Sequence, residues 1–348
     1  MSAMTAGRGN RAGVLLMAHG TPAEPSGIEA FYTRIRHGRP PSSDQLADLV
    51  RRYDAIGGTS PLAARTAAQV SGITAALDSA RPEAFAVRFG AKHTEPFIED
   101  AAFELAACGA HPVVGVVLTP HRASMGSDEY LDRAAAALAA APSAPSFVRV
   151  PQWYDAPGFA ELVTSRLLAA LEQLEQMEQL RGAPARTTVL FSAHSLPERV
   201  LAAGDPCQGQ LVESAAQVAA LAGLDDRGVS WEVAWQSAGR TPEPWIGPDL
   251  LDVLRRLGAE AREAATRGRV VVCPIGFVAD HLEVLYDVDV EARGVAEREG
   301  LAFTRTASLN DDPRLCAVVA GAVLAAVHGD AAARDGTWPA PGPAERGA

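Results

Sequence analysis

Residues Thr187–Glu198 read TTVLFSAHSLPE. The run Thr187–Ala193 is apolar and rich in β-formers, the pattern of a strand buried on both faces of a parallel sheet. Pro197 cannot donate to a ladder, so the strand must end just before it. His194 is then left at the strand's carboxyl end. The same phrase, a buried run breaking into polar residues, recurs along the chain. Gly13–Ala18 runs into His19-Gly20-Thr21, Ala84–Ala91 into Lys92-His93, and Val113–Leu118 into Thr119-Pro120-His121. Trp231–Gln236 runs into Ser237, and Arg269–Ile275 into Gly276-Phe277 and on to Asp280-His281-Leu282-Glu283. Ser146–Val150 and Leu301–Thr304 complete the set of expected strands.

Ala- and Leu-rich stretches separate these runs: 44–55, 61–80, 96–108, 129–141, 158–180, 208–222 and 249–266. Strand–helix alternation predicts βαβ units, so the fold class is α/β, with doubly wound, mostly parallel sheets. The Pro/Trp/Tyr-rich segment 151–157 divides the strands into two sets. The expected domains are 12–152 and 153–328, and the Ala-, Gly-, Pro- and charge-rich segment 329–348 is expected to be a disordered tail. Ligands of open α/β sheets bind beyond the carboxyl ends of the strands, so the polar strand ends of both halves predict one interdomain cleft.

The chain has 348 residues, enough for two domains. Its 48% apolar and 21% charged residues exclude a wholly disordered or fibrous protein. A net charge of −11 argues against a nucleic-acid partner, which needs a basic surface. Of 31 basic residues only Lys92 is a lysine, so anion recognition must rest on placed arginines. Arg34, Arg36, Arg39, Arg51 and Arg52 cluster in sequence and suit forked recognition of carboxylates. No run reaches the length of a membrane span, and the start lacks the apolar stretch of a secretory signal, so a cytoplasmic protein is expected. The four cysteines, Cys108, Cys207, Cys273 and Cys316, show no paired spacing and read as reduced thiols.

Glu283, Asp287 and Glu291 recur every four residues, which places them along one helix face, and a π-type widening would align them further. Like charges at that spacing repel, so the row gains nothing structurally. A carboxylate row leading from a cleft can bind a hydrated divalent cation or relay protons. With one imidazole added, the donor set suits loosely held Fe²⁺, Mg²⁺ or Mn²⁺. The Gly-rich turn Gly57-Gly58-Thr59-Ser60 lacks a P-loop, no dinucleotide fingerprint opens the first βα turn, and no nucleophile elbow surrounds Ser195. ATP, NAD and serine-hydrolase chemistry are therefore not supported.

The segments LLMAHGTP, RRYDAIGGTSPL, GAKHTEPFIEDA, FSAHSLPERV and PIGFVADHLEVLYDVDVE resemble the ferrochelatases, most closely the Gram-positive-type branch that acts on coproporphyrin III. The resemblance runs from about Gly13 to Val327. It implies two Rossmann-like domains around an interdomain porphyrin cleft, and insertion of Fe²⁺, a substrate rather than a cofactor, with loss of two pyrrole protons. It implies that His194 and Glu283 are catalytic. His194, Glu283, Asp287 and Glu291 would meet the metal. Arg36, Arg52, Tyr53, Ser60, Lys92, His93 and Tyr130 would hold the porphyrin. His19 stands where that branch carries an iron-ligating tyrosine, and His37 where a second arginine is common. With no cysteine after Cys316, no 2Fe-2S cluster is expected. The implied protein is a monomer, with at most transient contacts with other haem-pathway enzymes. A protoporphyrin IX ferrochelatase, a cobalt or nickel chelatase and a non-catalytic porphyrin carrier remain open alternatives at this point.

Overall fold

The computed structural model describes residues 11–178, 185–239 and 241–335. Two four-stranded, wholly parallel sheets form the frame. The first comprises β1 (Ala12–Ala18), β2 (Phe85–Ala91), β3 (Val113–Val117) and β4 (Phe147–Val150), in the order β2-β1-β3-β4. The second comprises β5 (Ala185–His194), β6 (Ser230–Gln236), β7 (Arg267–Cys273) and β8 (Ala302–Arg305), in the order β6-β5-β7-β8. The two orders are the same. β1 and β5 are equivalent, and each lies at the point where its sheet's strand order reverses, which is where α/β folds bind ligands. His19 follows β1 and His194 ends β5, so the two histidines occupy matching places.

Eleven α-helices are described: α1 (Ile28–Ile35), α2 (Ser43–Ala55), α3 (Leu62–Ala80), α4 (Ile98–Ala107), α5 (Ser127–Ala140), α6 (Phe159–Glu178), α7 (Arg199–Ala202), α8 (Cys207–Leu221), α9 (Leu250–Glu263), α10 (Arg293–Arg298) and α11 (Pro313–Asp335). A π-helix spans Glu283–Ala292. Strand alternation sorts the core. Val14 and Leu16 of β1 join Ile73 and Leu77 of α3, and this cluster continues through Trp153, Phe159 and Leu167 to Val189 and Phe191 of β5. Leu15 and Met17 point the other way, onto α4 and α5. In the second sheet Leu190, Val270 and Val272 pack on α9 and on Val288 and Ala292 of the π-helix. Each such fully buried aliphatic side chain contributes about 1.5–3 kcal/mol. The π-helix is therefore anchored by its apolar face while its other face is free for chemistry.

Four α-helices extend the expected set: the short α7 and α10, and the longer α1 and α11. α1 follows Pro25 and buries only Ile28 and Phe31. α11 continues through residues 329–335, where a disordered tail was expected. The Ala-rich stretch after Gly329 carries enough helix propensity to prolong the turn already packed through Val319 and Val323. Residues 336–348 lie outside the described residues. α11 also returns to the first lobe, packing on α3 and β4, so the C-terminal part of segment 153–328 does not stay with its own sheet. Gly72 permits that approach, because a Cβ there would lie 2.5 Å from the sulfur of Cys316.

Candidate functional site

The carboxyl ends of the two sheets face each other across a cavity of about 930 Å³. This is at the upper end of the range for small-molecule sites. His19, Arg36, Arg52, Tyr53, Ser60, Lys92, His93, Tyr130, His194, Glu283, Asp287 and Glu291 all line it. Of the five clustered arginines only Arg36 and Arg52 do so. Arg34 stacks on Phe97, Arg39 donates to the Arg36 carbonyl, and Arg51 bonds Asp48 and the Tyr286 hydroxyl.

β5 carries His194 to the cavity floor. Gly276 lies against Ala193, where a Cβ would come within 2.5 Å of the Ala193 methyl, so the loop after β7 can pass directly beside the histidine. That loop ends in His281 and leads into the π-helix, which opens with Glu283. His194 Nε2 lies 3.5 Å from Glu283 Oε1, and His281 Nε2 lies 3.6 Å from Glu283 Oε2. Nδ1 of His194 pairs with the Ser195 carbonyl, and Nδ1 of His281 with the Ala279 carbonyl at 2.9 Å. A backbone carbonyl can only accept, so both Nδ1 atoms carry protons and both Nε2 atoms face the carboxylate. Gln236, at the end of β6, donates to the Glu283 carbonyl at 3.0 Å and accepts from Ser192 at 2.9 Å, tying the π-helix to the central strand.

Burial alone would lower the His194 pKa, but the Glu283 charge outweighs it and raises the imidazole to about 9. Burial works against ionised Glu283 as well. The charges of His194 and His281 overcome it and hold the carboxyl well below its usual range. The two shifts agree on one resting state, an imidazolium beside a carboxylate. Asp287 behaves differently: burial first, then the neighbouring Glu283 charge, raise it to about 6. It accepts from the Ser237 hydroxyl and from Arg52 Nη1, the latter at 3.3 Å. Among the described residues no three His, Cys, Asp or Glu side chains converge into a ready-made metal centre.

The opposite wall belongs to the first lobe. The His19 and His93 rings are 4.7 Å apart, and the His19 ring meets Phe31 edge-on at 5.7 Å. Burial lowers the pKa of both, that of His93 to about 3, so both imidazoles are neutral near pH 7. Lys92 bonds Glu129 at 2.7 Å and lies over the Tyr130 ring. Tyr130 and Tyr53 are both raised by burial, and the Tyr53 hydroxyl lies 3.4 Å from Thr21 Oγ1. Arg51 and Arg52 come from α2, whose start is fixed by a reciprocal capping box between Ser42 and Gln45. Such caps contribute about 1 kcal/mol.

Sequence reasoning gave no role to His281, Gln236 or Ser237. Asp280 precedes His281 but turns away to Arg305, Ser308 and Asn310. Alternation along that loop was the available signal, but without the backbone it could not show which side chain faces Glu283.

A family model described as Ferrochelatase matches residues 11–327. The chain is 41% identical over 313 residues to a protein named coproporphyrin III ferrochelatase from Geobacillus thermodenitrificans, covering 90% of this chain and 95% of that one. It is equally identical over 294 residues to coproporphyrin III ferrochelatase 2 of Bacillus anthracis, covering 84% and 87%. Among solved structures, SirB from Bacillus subtilis with Fe³⁺ shares the fold, with a TM-score of 0.54 at 12% identity, covering 92% of this chain and 98% of that one. No helix among the described residues is long and apolar enough to cross a membrane.

Proposed function

The chain belongs to the ferrochelatase family, and from that premise we propose that it inserts Fe²⁺ into coproporphyrin III. The observation that carries the chemistry is the bracketing of Glu283 by two imidazoles at the floor of the cavity. In the reaction two pyrrole N–H bonds break, four nitrogens bind Fe²⁺, and two protons leave, so charge balances. The His194–Glu283 pair already carries one proton and has room for one more, so it takes the two pyrrole protons one at a time, handing each on before accepting the next. In its resting state the imidazolium holds one proton, and an arriving cation repels it, driving that proton onto the carboxylate. Asp287, whose pKa of about 6 lies close to working pH, passes protons on towards Glu291. His194, Glu283, Asp287 and Glu291 meet the metal during entry. A centre that is not preassembled suits a site that must release its ion.

On the other wall neutral His19 would offer an imidazole nitrogen to the product iron, as histidine does in haem proteins. Arg36, Arg52, Ser60, Tyr53, Tyr130, Lys92 and His93 hold the macrocycle and its carboxylates. With a net charge of −11 the chain repels a tetracarboxylate at long range, so these few donors must win locally. Every residue assigned to the site comes from one chain, and the reading is of a monomer. The reading includes no nucleic-acid partner, no prosthetic group and a cytoplasmic setting.

Anaerobic addition of Fe²⁺ to the protein with coproporphyrin III or with protoporphyrin IX, followed by absorbance, tests the substrate. Faster insertion into coproporphyrin III is expected. A preference for protoporphyrin IX overturns the substrate assignment, and no insertion into either overturns the function.

A further inference from the structure

Arg52 and Asp287 stand on opposite walls of the cavity and are bonded to each other. Arg52, on α2, donates from Nη1 to Asp287 Oδ1 at 3.3 Å and from Nε to Asp48 Oδ2 at 3.2 Å. The other Asp287 oxygen accepts from Ser237. Both oxygens of Asp287 are thus engaged, and its side chain is only 8% exposed. Arg51 makes a parallel strap, from Asp48 to the Tyr286 hydroxyl at 2.5 Å, but does not touch Asp287. We propose that Arg52 is an exchangeable clasp: a porphyrin carboxylate draws it off Asp287, and only then is Asp287 free for a divalent cation. The inference rests on the porphyrin reading above and adds an order of binding to it.

The energetics favour exchange. The bond to Asp287 is single and long, whereas a propionate can accept two parallel bonds from one guanidinium. Arg52 has further donors, and its side chain is 26% exposed, so it can rotate towards the cavity without unpacking a core. A guanidinium on Oδ1 disfavours a metal ion at the same carboxylate, because the two cations repel each other and compete for its charge. Porphyrin binding therefore raises cation affinity, and by linkage the cation raises porphyrin affinity by the same factor. The enzyme without porphyrin is guarded against capturing stray divalent ions.

The test titrates Mn²⁺ into the full chain, following free Mn²⁺ by electron paramagnetic resonance, with and without saturating coproporphyrin III. In wild type, porphyrin should tighten Mn²⁺ binding about fivefold or more. Arg52→Gln should show that tighter binding without porphyrin, with less than about a twofold further gain when porphyrin is added. Arg51→Gln removes the same charge one residue away and should keep the porphyrin effect, and Asp287→Asn should abolish it. Wild-type Mn²⁺ affinity that ignores porphyrin overturns the clasp, as does an Arg51→Gln variant that behaves like Arg52→Gln. Iron insertion is measured on the same preparations. Insertion without coupling overturns the clasp alone, whereas absent insertion overturns the proposed function.

Discussion

His194 Nε2 lies 3.5 Å from Glu283 Oε1, joining the end of the central strand of the second sheet to the first residue of the π-helix. The pair has a definite pH signature. His194, raised to about 9, contributes stability that is complete below its ordinary value of about 6.5 and is lost as pH rises through about 9. Glu283, depressed, contributes stability that is present above its ordinary value of about 4.5 and is lost as pH falls below it. Glu283→Gln should therefore lower the urea midpoint more at about pH 6 than at about pH 10. An equal effect at both values contradicts the ion pair.

Asp287 has the opposite sign. A carboxyl raised to about 6 costs the folded state stability as pH rises from about 4 through 6. Asp287→Asn should relieve up to roughly 3 kcal/mol at neutral pH and almost nothing near pH 4, measured as urea unfolding free energy. In the wild-type enzyme, iron-insertion kcat should fall below about pH 6 as Asp287 protonates. In Asp287→Asn that acid limb should vanish as the rate drops.

His281 faces Glu283 without standing at the end of a strand. His281→Gln keeps a polar side chain but removes the second imidazole from the carboxylate. Its kcat for insertion should fall about tenfold or more, with porphyrin affinity by fluorescence quenching unchanged. A change in affinity alone would assign His281 to binding.

His19 is neutral and open to the cavity opposite His194. The product complex of wild type should show a nitrogen-ligated iron by electron paramagnetic resonance and absorbance. His19→Tyr should shift that spectrum towards an oxygen-ligated form, while insertion persists within about threefold. Identical spectra would remove His19 from the iron.

Trp153 joins the lobes: its Nε1 donates to the Val117 carbonyl at 2.9 Å, and its ring meets Phe159 edge-on at 5.4 Å. Trp153→Ala should cost about 3–5 kcal/mol in urea unfolding. A loss below about 1 kcal/mol would show that the shared core does not bind the lobes together.

Much of this was legible in the sequence. All eight strands lie within two residues of the runs expected at their starts and ends, because buried parallel strands are written as continuous apolar runs closed by Gly, Pro or His. The acidic row could be placed on a helix, and its wider winding was anticipated from the spacing of Glu283, Asp287 and Glu291. Three-dimensional facts were not legible. α11 packs on the first lobe because Gly72 admits Cys316, a fit between positions far apart in the chain. The arginine cluster divides by neighbour: Arg51 and Arg52 are adjacent, yet they reach Tyr286 and Asp287 respectively. Nothing in α2 itself records that difference.

His194 and Glu283 are the proposed acceptors of the pyrrole protons. The most direct measurement is single-turnover, anaerobic Fe²⁺ insertion into coproporphyrin III by His194→Ala, with porphyrin affinity determined on the same preparation. Affinity should stay within about threefold of wild type, and insertion should slow by about 100-fold or more. Insertion at the wild-type rate, with porphyrin bound normally, would contradict the account.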